Sequence, residues 1–178
     1  MNIFVSGGCK NGKSYYAQKT AADMARSLGK PLYYVATMEP HDAEDHARIK
    51  RHVAERDGWG FTTLEQPVKL TELLERSDVD TEGVFLLDSV TALLGNEMFD
   101  DSGNTDISAK ERVAGDLRKF AHSTGNTIFV SDNIYGDAEE YDETTELYRR
   151  SLAAADRALA ECCDRVVEIT FGLPEIWK

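Results

Sequence analysis

The chain has 178 residues, of which 42% are hydrophobic and 29% are charged, and this composition is typical of a globular protein of one domain. Its formal net charge of -12 argues against binding to a nucleic-acid backbone, which requires a basic surface. No stretch is long and apolar enough for a membrane span, and no charged leader precedes an apolar core, so we expect a cytoplasmic protein.

The first distinctive feature is a strand, a glycine-rich turn and a helix in direct succession. The apolar run 2–6 predicts a strand, and the segment 15–28 has the pattern of a helix. Between them, residues 7–14 (GGCKNGKS) match the phosphate-loop pattern G-x-x-x-x-G-K-[ST] at every fixed position. Glycines let successive N–H groups curl around a phosphate, and the start of the helix adds partial positive charge. We therefore predict that Lys13 binds the phosphates of a nucleoside triphosphate and that Ser14 ligates Mg²⁺.

Strands and helices alternate along the rest of the chain. Apolar runs typical of buried strands occur at 32–36, 83–87, 127–130 and 166–171, with shorter candidates at 61–64 and 176–178. Helical patterns occupy 42–57, 70–74, 89–99, 107–123 and part of 139–163. The alternation predicts one nucleotide-binding domain over 1–178 with an α/β fold. We expect a three-layer P-loop NTPase of RecA-like build, whose mostly parallel sheet can end in an antiparallel C-terminal strand.

Two acidic residues follow predicted strands at the edge where ligands of open α/β sheets bind. Asp88 closes one apolar run and Asp132 closes another. In a P-loop protein an aspartate in this place commonly helps to hold magnesium, so we assign Asp88 to the metal. Its alternative role is to cap the segment that follows. Asp132 is a rival for the metal-side role or for that of general base.

The predicted helix 42–57 carries three residues that phosphate chemistry can use. Arg48, His52 and Arg56 are spaced i, i+4, i+8 and so share one helix face. Arginines bind phosphoryl oxygens in a two-pronged manner, and a histidine can act as general base or as a nucleophile toward phosphorus. The alternative interpretation is a solvated face whose arginines pair with neighbouring carboxylates. Composition alone leaves both interpretations open.

Further motifs accompany the phosphate loop in a fixed order and spacing. They are Tyr34-Val35-Ala36-Thr37, Arg48-Ile49-x-x-His52-x-x-x-Arg56, Trp59 followed by Thr63-x-Glu65, and Leu86-Leu87-Asp88-Ser89-x-Thr91. In these motifs the chain resembles the bifunctional adenosylcobinamide kinase / adenosylcobinamide-phosphate guanylyltransferase family of cobalamin assembly. The resemblance covers 3–92 and resumes at 127–132 and 160–178. The Arg-Ile-x-x-His-x-x-x-Arg signature is the discriminating part, because very many enzymes share the phosphate loop.

The resemblance implies a sequence of three reactions. A triphosphate first phosphorylates the aminopropanol hydroxyl of adenosylcobinamide. GTP then guanylylates His52 with loss of pyrophosphate, and GMP finally passes to adenosylcobinamide phosphate. A covalent intermediate divides one difficult displacement into two easier ones. The expected cofactor is Mg²⁺, with GTP and ATP as substrates.

The resemblance also implies site residues and a partner. The catalytic residues are His52, Lys13, Arg48 and Arg56, and the metal ligands are Ser14 and Asp88. The nucleotide contacts are Gly7, Gly8, Cys9, Lys10, Asn11, Gly12, Lys13, Ser14, Ala36, Thr37, Met38, Val53, Glu65 and Asp88. The family is known as a trimer, so we expect a homo-oligomer with the site near a subunit boundary.

Two stretches depart from the family pattern, in regions that we expect to meet the corrinoid. Family members often carry Asn-Glu-Val-Gly-x-Gly where this chain has residues 132–137, and a later Gly-x-x-Asn-Gln is absent around 154–157. Two alternative functions stay open. One is a plain small-molecule kinase that uses His52 only as a phosphate contact. The other is a RecA-like nucleotide-dependent switch, which is disfavoured because Ser89 stands where a water-orienting glutamate would follow Asp88.

Overall fold

The structure is a computed structural model, and it describes residues 1–40, 47, 49, 50, 53, 54, 56–100 and 102–178. Its strands are β1 (Ile3–Gly7), β2 (Leu32–Ala36), β3 (Thr62–Glu65), β4 (Val84–Asp88), β5 (Thr127–Asp132), β6 (Arg165–Thr170) and β7 (Leu173–Ile176). Its α-helices are α1 (Lys13–Leu28), α2 (Val90–Met98), α3 (Ala109–Thr124) and α4 (Glu143–Cys162), and a 3₁₀ helix spans Leu70–Glu75. In the predicted helix 42–57, the described residues 47, 49, 50, 53 and 54 are helical.

All seven strands belong to one sheet, in the order β3-β2-β4-β5-β1-β6-β7. Neighbours are parallel throughout except for β7, which runs antiparallel to β6. The predicted fold class is thereby confirmed. The predicted final strand at 176–178 was placed too late, because the chain reverses over Phe171 and Gly172, which have φ of 54° and 79°, and pairs again from Leu173.

Side chains that alternate along the strands build one core on each face of the sheet. On one face, Ile3, Val5, Leu86 and Ile128 pack with the buried alanines of α1. On the opposite face, strand residues such as Phe85 and Phe129 pack with α2, α3 and α4. The period of two in a strand separates the two sets, and the result is a three-layer structure.

Local sequence explains where the helices begin and end. Gly29 lies in the left-handed region at φ 64° and its N–H donates to the Ala25 carbonyl, which closes α1. Asp142 begins α4, because its carboxylate accepts the N–H groups of Thr144 and Thr145, both at 3.0 Å. None of the helices in the described part of the chain has the length and apolar character that crossing a bilayer requires.

The register brings four strand ends to one edge of the sheet. Gly7 of β1 lies beside Asp132 of β5, and Ala36 of β2 lies beside Asp88 of β4. The carboxyl ends of these parallel strands therefore form the floor of the site that the sequence predicts.

Candidate active site

The phosphate loop links β1 to α1 through two glycines with different tasks. Gly12 adopts φ 94° at the start of α1, a conformation in the left-handed region that favours glycine, and no side chain caps the helix there. A Cβ on Gly7 would collide with the Asn11 amide and lie 2.7 Å from the Ile169 carbonyl oxygen, so any larger residue would force the loop to shift. The Asn11 amide donates to that same carbonyl and ties the loop to β6. The loop is thus held at both ends. The Lys13 N–H donates weakly to Asn11 Oδ1 at 3.4 Å, and the Ser14 and Tyr15 N–H groups have no side-chain acceptor among the described residues, so the start of α1 keeps donors for an anion.

Lys13 is the charged centre of the loop. Its side chain is 9% exposed, and its Nζ lies 2.5 Å from Asp132 Oδ1 and 3.1 Å from the Gly8 carbonyl oxygen. The Asp132 backbone N–H donates to Thr91 Oγ1 at 3.0 Å, which fixes the end of β5 against α2. The lysine is therefore paired with a carboxylate of the neighbouring strand, and a bound phosphate has to compete with that carboxylate.

A cavity of about 680 Å³ opens beside this ion pair. Its volume falls within the range of sites for nucleotides and other small ligands. Asp132 lines it, while the residues of the phosphate loop do not. Among the predicted site residues, the cavity wall includes Ala36, Met38, Val53, Arg56, Glu65 and Asp88. The structure thus brings together the predicted residues at the ends of β2, β3 and β4 with part of the predicted arginine–histidine segment.

Arg56 and Asp88 meet through one tyrosine. The guanidinium carbon of Arg56 lies 4.0 Å from the centroid of the Tyr34 ring, and the Tyr34 hydroxyl donates to Asp88 Oδ2 at 3.0 Å. Arg56 Nη2 also donates to Thr63 Oγ1 at 3.2 Å. A cation over an aromatic face is held in a defined direction while its N–H groups stay available. Tyr34 therefore orients an arginine on one side and a carboxylate on the other.

The sequence left two roles open for Asp88, a metal ligand or the cap of the helix that follows, and the residue that caps this helix is Ser89. Ser89 is the residue that begins α2, and its hydroxyl accepts the Ala92 N–H at 3.2 Å. Asp88 instead lines the cavity, and its carboxylate accepts the Tyr34 hydroxyl. The described residues contain no group of three or more His, Cys, Asp or Glu side chains placed to hold a metal by themselves. Mg²⁺ bound to a nucleotide needs only one or two protein oxygens beside phosphate and water, and the Ser14 hydroxyl and Asp88 carboxylate fit that donor set.

Among the predicted nucleotide contacts Ala36, Thr37 and Met38, the cavity wall includes Ala36 and Met38 but not Thr37. It is fully buried, and its hydroxyl accepts the Ser89 N–H at 2.7 Å and donates to the Ser89 carbonyl at 2.8 Å. The Asn96 amide donates to the carbonyls of Thr37 and Pro67, at 2.8 and 3.0 Å. The Thr37 side chain therefore joins β2 to the start of α2 beneath the cavity.

His52 and Arg48 lie outside the described residues. The described Ile49 and Val53 of the same segment line the cavity, as does Arg56. The remaining loop residues, Cys9 and Lys10, lie exposed beside Gly8, and Lys10 has φ 57°.

The cavity wall also includes residues that sequence reasoning missed. They are Tyr34, Glu39, Pro40, Thr63, Pro67, Ser89, Thr91, Ala92, Gly95, Asn96 and Tyr148. Tyr148 has the spacing of a core residue in α4, yet its hydroxyl donates to the Thr91 carbonyl at 2.7 Å on the cavity wall. Burial and the negative charge of Asp132 raise the pKa of Tyr148, so its hydroxyl stays neutral. The sequence signal for this part of the wall was Thr91, which follows Asp88 by three residues in the motif Leu86-Leu87-Asp88-Ser89-x-Thr91.

A buried acid lies behind the end of β5. Asp156 of α4 is 3% exposed, and its Oδ2 accepts the Tyr135 hydroxyl at 2.9 Å. In the described part of the chain, neither Asp156 Oδ1 nor the Ser131 hydroxyl has a hydrogen bond of normal geometry. Burial raises the pKa of Asp156 to about 6, and the charge of Asp132 adds to the rise, while the Ser131 and Tyr135 hydroxyls offset part of it.

Comparison with known proteins identifies the family. The sequence model described as "Cobinamide kinase / cobinamide phosphate guanyltransferase" matches residues 3–176. The bifunctional adenosylcobalamin biosynthesis protein CobP of Pseudomonas aeruginosa is 29% identical over 98% of this chain and 95% of its own length. The protein CobU of Salmonella typhimurium, of the same description, is 29% identical over 97% of each chain.

A solved structure gives an independent view of the fold. The ATPase domain of G40P is 9% identical and has a TM-score of 0.51, over 94% of this chain and 68% of that chain. At this identity the likeness shows a shared α/β fold and nothing about activity. The family match confirms both the resemblance in the motifs and the predicted enzyme class: this chain belongs to the cobinamide kinase / cobinamide phosphate guanyltransferase family.

Proposed function

We propose that the chain carries out two group transfers at one site. It phosphorylates adenosylcobinamide with ATP or GTP, and it then transfers GMP from GTP to adenosylcobinamide phosphate to give adenosylcobinamide-GDP. One observation carries the proposal: the phosphate-loop lysine contacts Asp132 on the wall of a large cavity that Arg56 also lines. A phosphate loop with a lysine for the phosphate tail and a second cation on the cavity wall are what transfer at two different phosphorus atoms needs.

In the phosphorylation step, Lys13 exchanges its carboxylate partner for the β and γ phosphates. The γ-phosphorus–oxygen bond breaks as the acceptor hydroxyl oxygen attacks, and Lys13 neutralises the charge that moves onto the leaving diphosphate. Ser14 and Asp88 would hold Mg²⁺, which when bound supplies further charge neutralisation. The buried position of Lys13 strengthens its interaction with phosphate because little water screens it.

In the guanylylation step, the His52 imidazole attacks the α-phosphorus of GTP and pyrophosphate leaves. A phosphate oxygen of adenosylcobinamide phosphate then attacks the same phosphorus, the phosphorus–nitrogen bond breaks, and His52 is restored. Arg48 and Arg56 would stabilise the charge on the transferring group. The stacking of Arg56 on Tyr34 supports this role, because it fixes the direction of the guanidinium before the nucleotide binds.

We also propose a homo-oligomer, a trimer by family resemblance. The β6–β7 hairpin supports association between copies, because it exposes apolar side chains at the edge of the sheet: Phe171 at 96%, Leu173 at 71%, Ile176 at 60% and Trp177 at 65%. Light scattering of the purified protein tests this proposal. A monomer at micromolar concentration would contradict it.

A labelling experiment tests the covalent step. The protein is incubated with α-labelled GTP and denatured, and label that is acid-labile and alkali-stable is sought on the polypeptide. We expect label on the wild type and on His122→Ala, and none on His52→Ala. His122 is the matched control because it is exposed near the end of α3, where its Nδ1 contacts the Arg118 carbonyl. Unlabelled wild type that still phosphorylates adenosylcobinamide would indicate a plain kinase, and label that survives in His52→Ala would exclude His52 as the nucleophile.

A further inference from the structure

Four carboxylate residues line the cavity in the described part of the chain: Glu39, Glu65, Asp88 and Asp132. Among them Asp132 is the one in contact with the phosphate-loop lysine, and the two transfers proposed above give it no task. Asp88, at the end of β4, accepts the Tyr34 hydroxyl and is the candidate metal ligand. Asp132, at the end of β5, contacts Lys13. We propose that Asp132 is the catalytic base of the phosphorylation half-reaction, which takes the proton of the acceptor hydroxyl. The proposal rests on the proposed function.

The first argument is reach. Lys13 Nζ lies 2.5 Å from Asp132 Oδ1. When that nitrogen binds the β and γ phosphates, the γ-phosphorus lies within a few ångströms of the same carboxylate. An alcohol that attacks this phosphorus from the cavity therefore brings its hydroxyl proton into the hydrogen-bonding range of Asp132.

The second argument is that Asp132 is held in place and is accessible. Its backbone N–H donates to Thr91 Oγ1, and the Tyr148 hydroxyl donates to the Thr91 carbonyl, so α2 and α4 both brace the end of β5. The side chain of Asp132 is 22% exposed and lines the cavity. A catalytic base needs a fixed backbone and an accessible carboxylate, because its oxygen must first lie within hydrogen-bonding distance of the proton that it removes.

The third argument is charge balance. In the structure the Lys13 cation pairs with the Asp132 carboxylate. After Lys13 turns to the phosphates, Asp132 keeps a negative charge beside the incoming hydroxyl, and the nearby Tyr148 stays neutral. The step then balances: the acceptor oxygen–phosphorus bond forms, the bond from γ-phosphorus to the bridging oxygen breaks, the nucleoside diphosphate leaves, and the proton passes to Asp132 and later to water.

The test compares the two half-reactions in Asp132→Asn, which keeps the size of the side chain and removes the base. Phosphorylation is measured as transfer of γ-label to adenosylcobinamide, and guanylylation as α-label bound to protein. We expect phosphorylation to fall about 100-fold or more, in the range of general-base effects, with guanylylation and the nucleotide KM within about threefold of wild type. Asp23→Asn is the matched control, because this carboxylate also pairs with a lysine, Lys19, but lies on α1 away from the cavity wall.

Further outcomes decide against the proposal. An equal fall in both half-reactions would mean that Asp132 acts only through Lys13, and unchanged phosphorylation would also overturn it. If Asp132→Asn does not fold, Asp132→Ala with added formate replaces it, and formate has to restore phosphorylation at least about tenfold, because a small carboxylate can occupy the vacated space. Wild type that labels itself with GMP but never phosphorylates adenosylcobinamide would reject the kinase half of the proposed function and this base with it.

Discussion

Replacing the buried Asp156 by asparagine changes a single property of the core, the ionisation of one carboxyl group. The amide oxygen of asparagine can still accept the Tyr135 hydroxyl, which in the wild type donates to Asp156 at 2.9 Å. The amide nitrogen can donate toward the Ser131 hydroxyl, which has no hydrogen bond of normal geometry in the described residues. The variant therefore keeps the shape and the hydrogen bond and removes the negative charge.

The expected effect on stability follows from the pKa of Asp156. Burial raises this pKa from 3.8 to about 6, so the folded protein holds the proton more tightly than the unfolded chain. Below pH 3.8 both states are protonated and ionisation costs nothing. Stability is lost as the pH rises between these two values, and above pH 6 the full cost of about 3 kcal/mol applies, at about 1.36 kcal/mol per pH unit. Between pH 5 and pH 7.5 the cost grows by about 1.4 kcal/mol, by the same linkage relation.

Urea denaturation of wild type and Asp156→Asn at pH 5 and pH 7.5 measures this difference. We expect the variant to be the more stable protein at pH 7.5, and its advantage to shrink by about 1.4 kcal/mol at pH 5. Asp78→Asn is the control: its pKa lies below the ordinary value because Arg76 donates to it, so Asp78 is ionised over the whole range and its difference should not change with pH. An advantage that is the same at both pH values, or a variant less stable at pH 7.5, would refute the reasoning.

Three further predictions concern the site. Gly7→Ala should weaken nucleotide binding at least about tenfold in calorimetry, because the new Cβ collides with Asn11 and the Ile169 carbonyl and the loop has to shift. Unchanged affinity would show that the loop accommodates the methyl group without loss of its binding conformation. Lys13→Met should lower both half-reactions about 100-fold or more, whereas loss of only one would mean that the two transfers bind the phosphate tail differently. Tyr34→Phe keeps the aromatic ring under Arg56 and removes the hydrogen bond that orients the Asp88 carboxylate. We expect the nucleotide affinity of this variant to increase less on addition of Mg²⁺ than that of the wild type. Identical Mg²⁺ titrations would contradict the assignment of Asp88 to the metal.

The features that local sequence determines were predictable. The phosphate loop, the helix that follows it and Asp88 at the end of an apolar run each depend on a few consecutive residues, and the structure has all three. The family match then confirmed the resemblance on which the catalytic assignments depend. The placement of Lys13 against Asp132 was not predictable, because it requires β5 to lie beside β1, and strand order depends on packing between distant segments.

The direction in which side chains point was the other property that could not be predicted from the sequence. Tyr148 has the spacing of a buried helix face, and only the position of α4 over α2 shows that its ring reaches the cavity. Thr37 lies at a strand end where a ligand contact is expected, yet its hydroxyl bonds to Ser89. The start of the final strand was predicted too late, at 176 and not at Leu173, because a phenylalanine at φ 54° is rare and gives no clear signal that the turn is already complete at Gly172.

The ion pair between Lys13 and Asp132 makes the phosphate loop selective by charge. A monovalent anion such as chloride gains too little from the lysine to displace a carboxylate already in contact with it. A triphosphate carries enough negative charge on adjacent groups to draw the lysine away while the loop N–H groups hold its other oxygens. The phosphate loop is thereby protected from occupation by the monovalent anions of a salt solution.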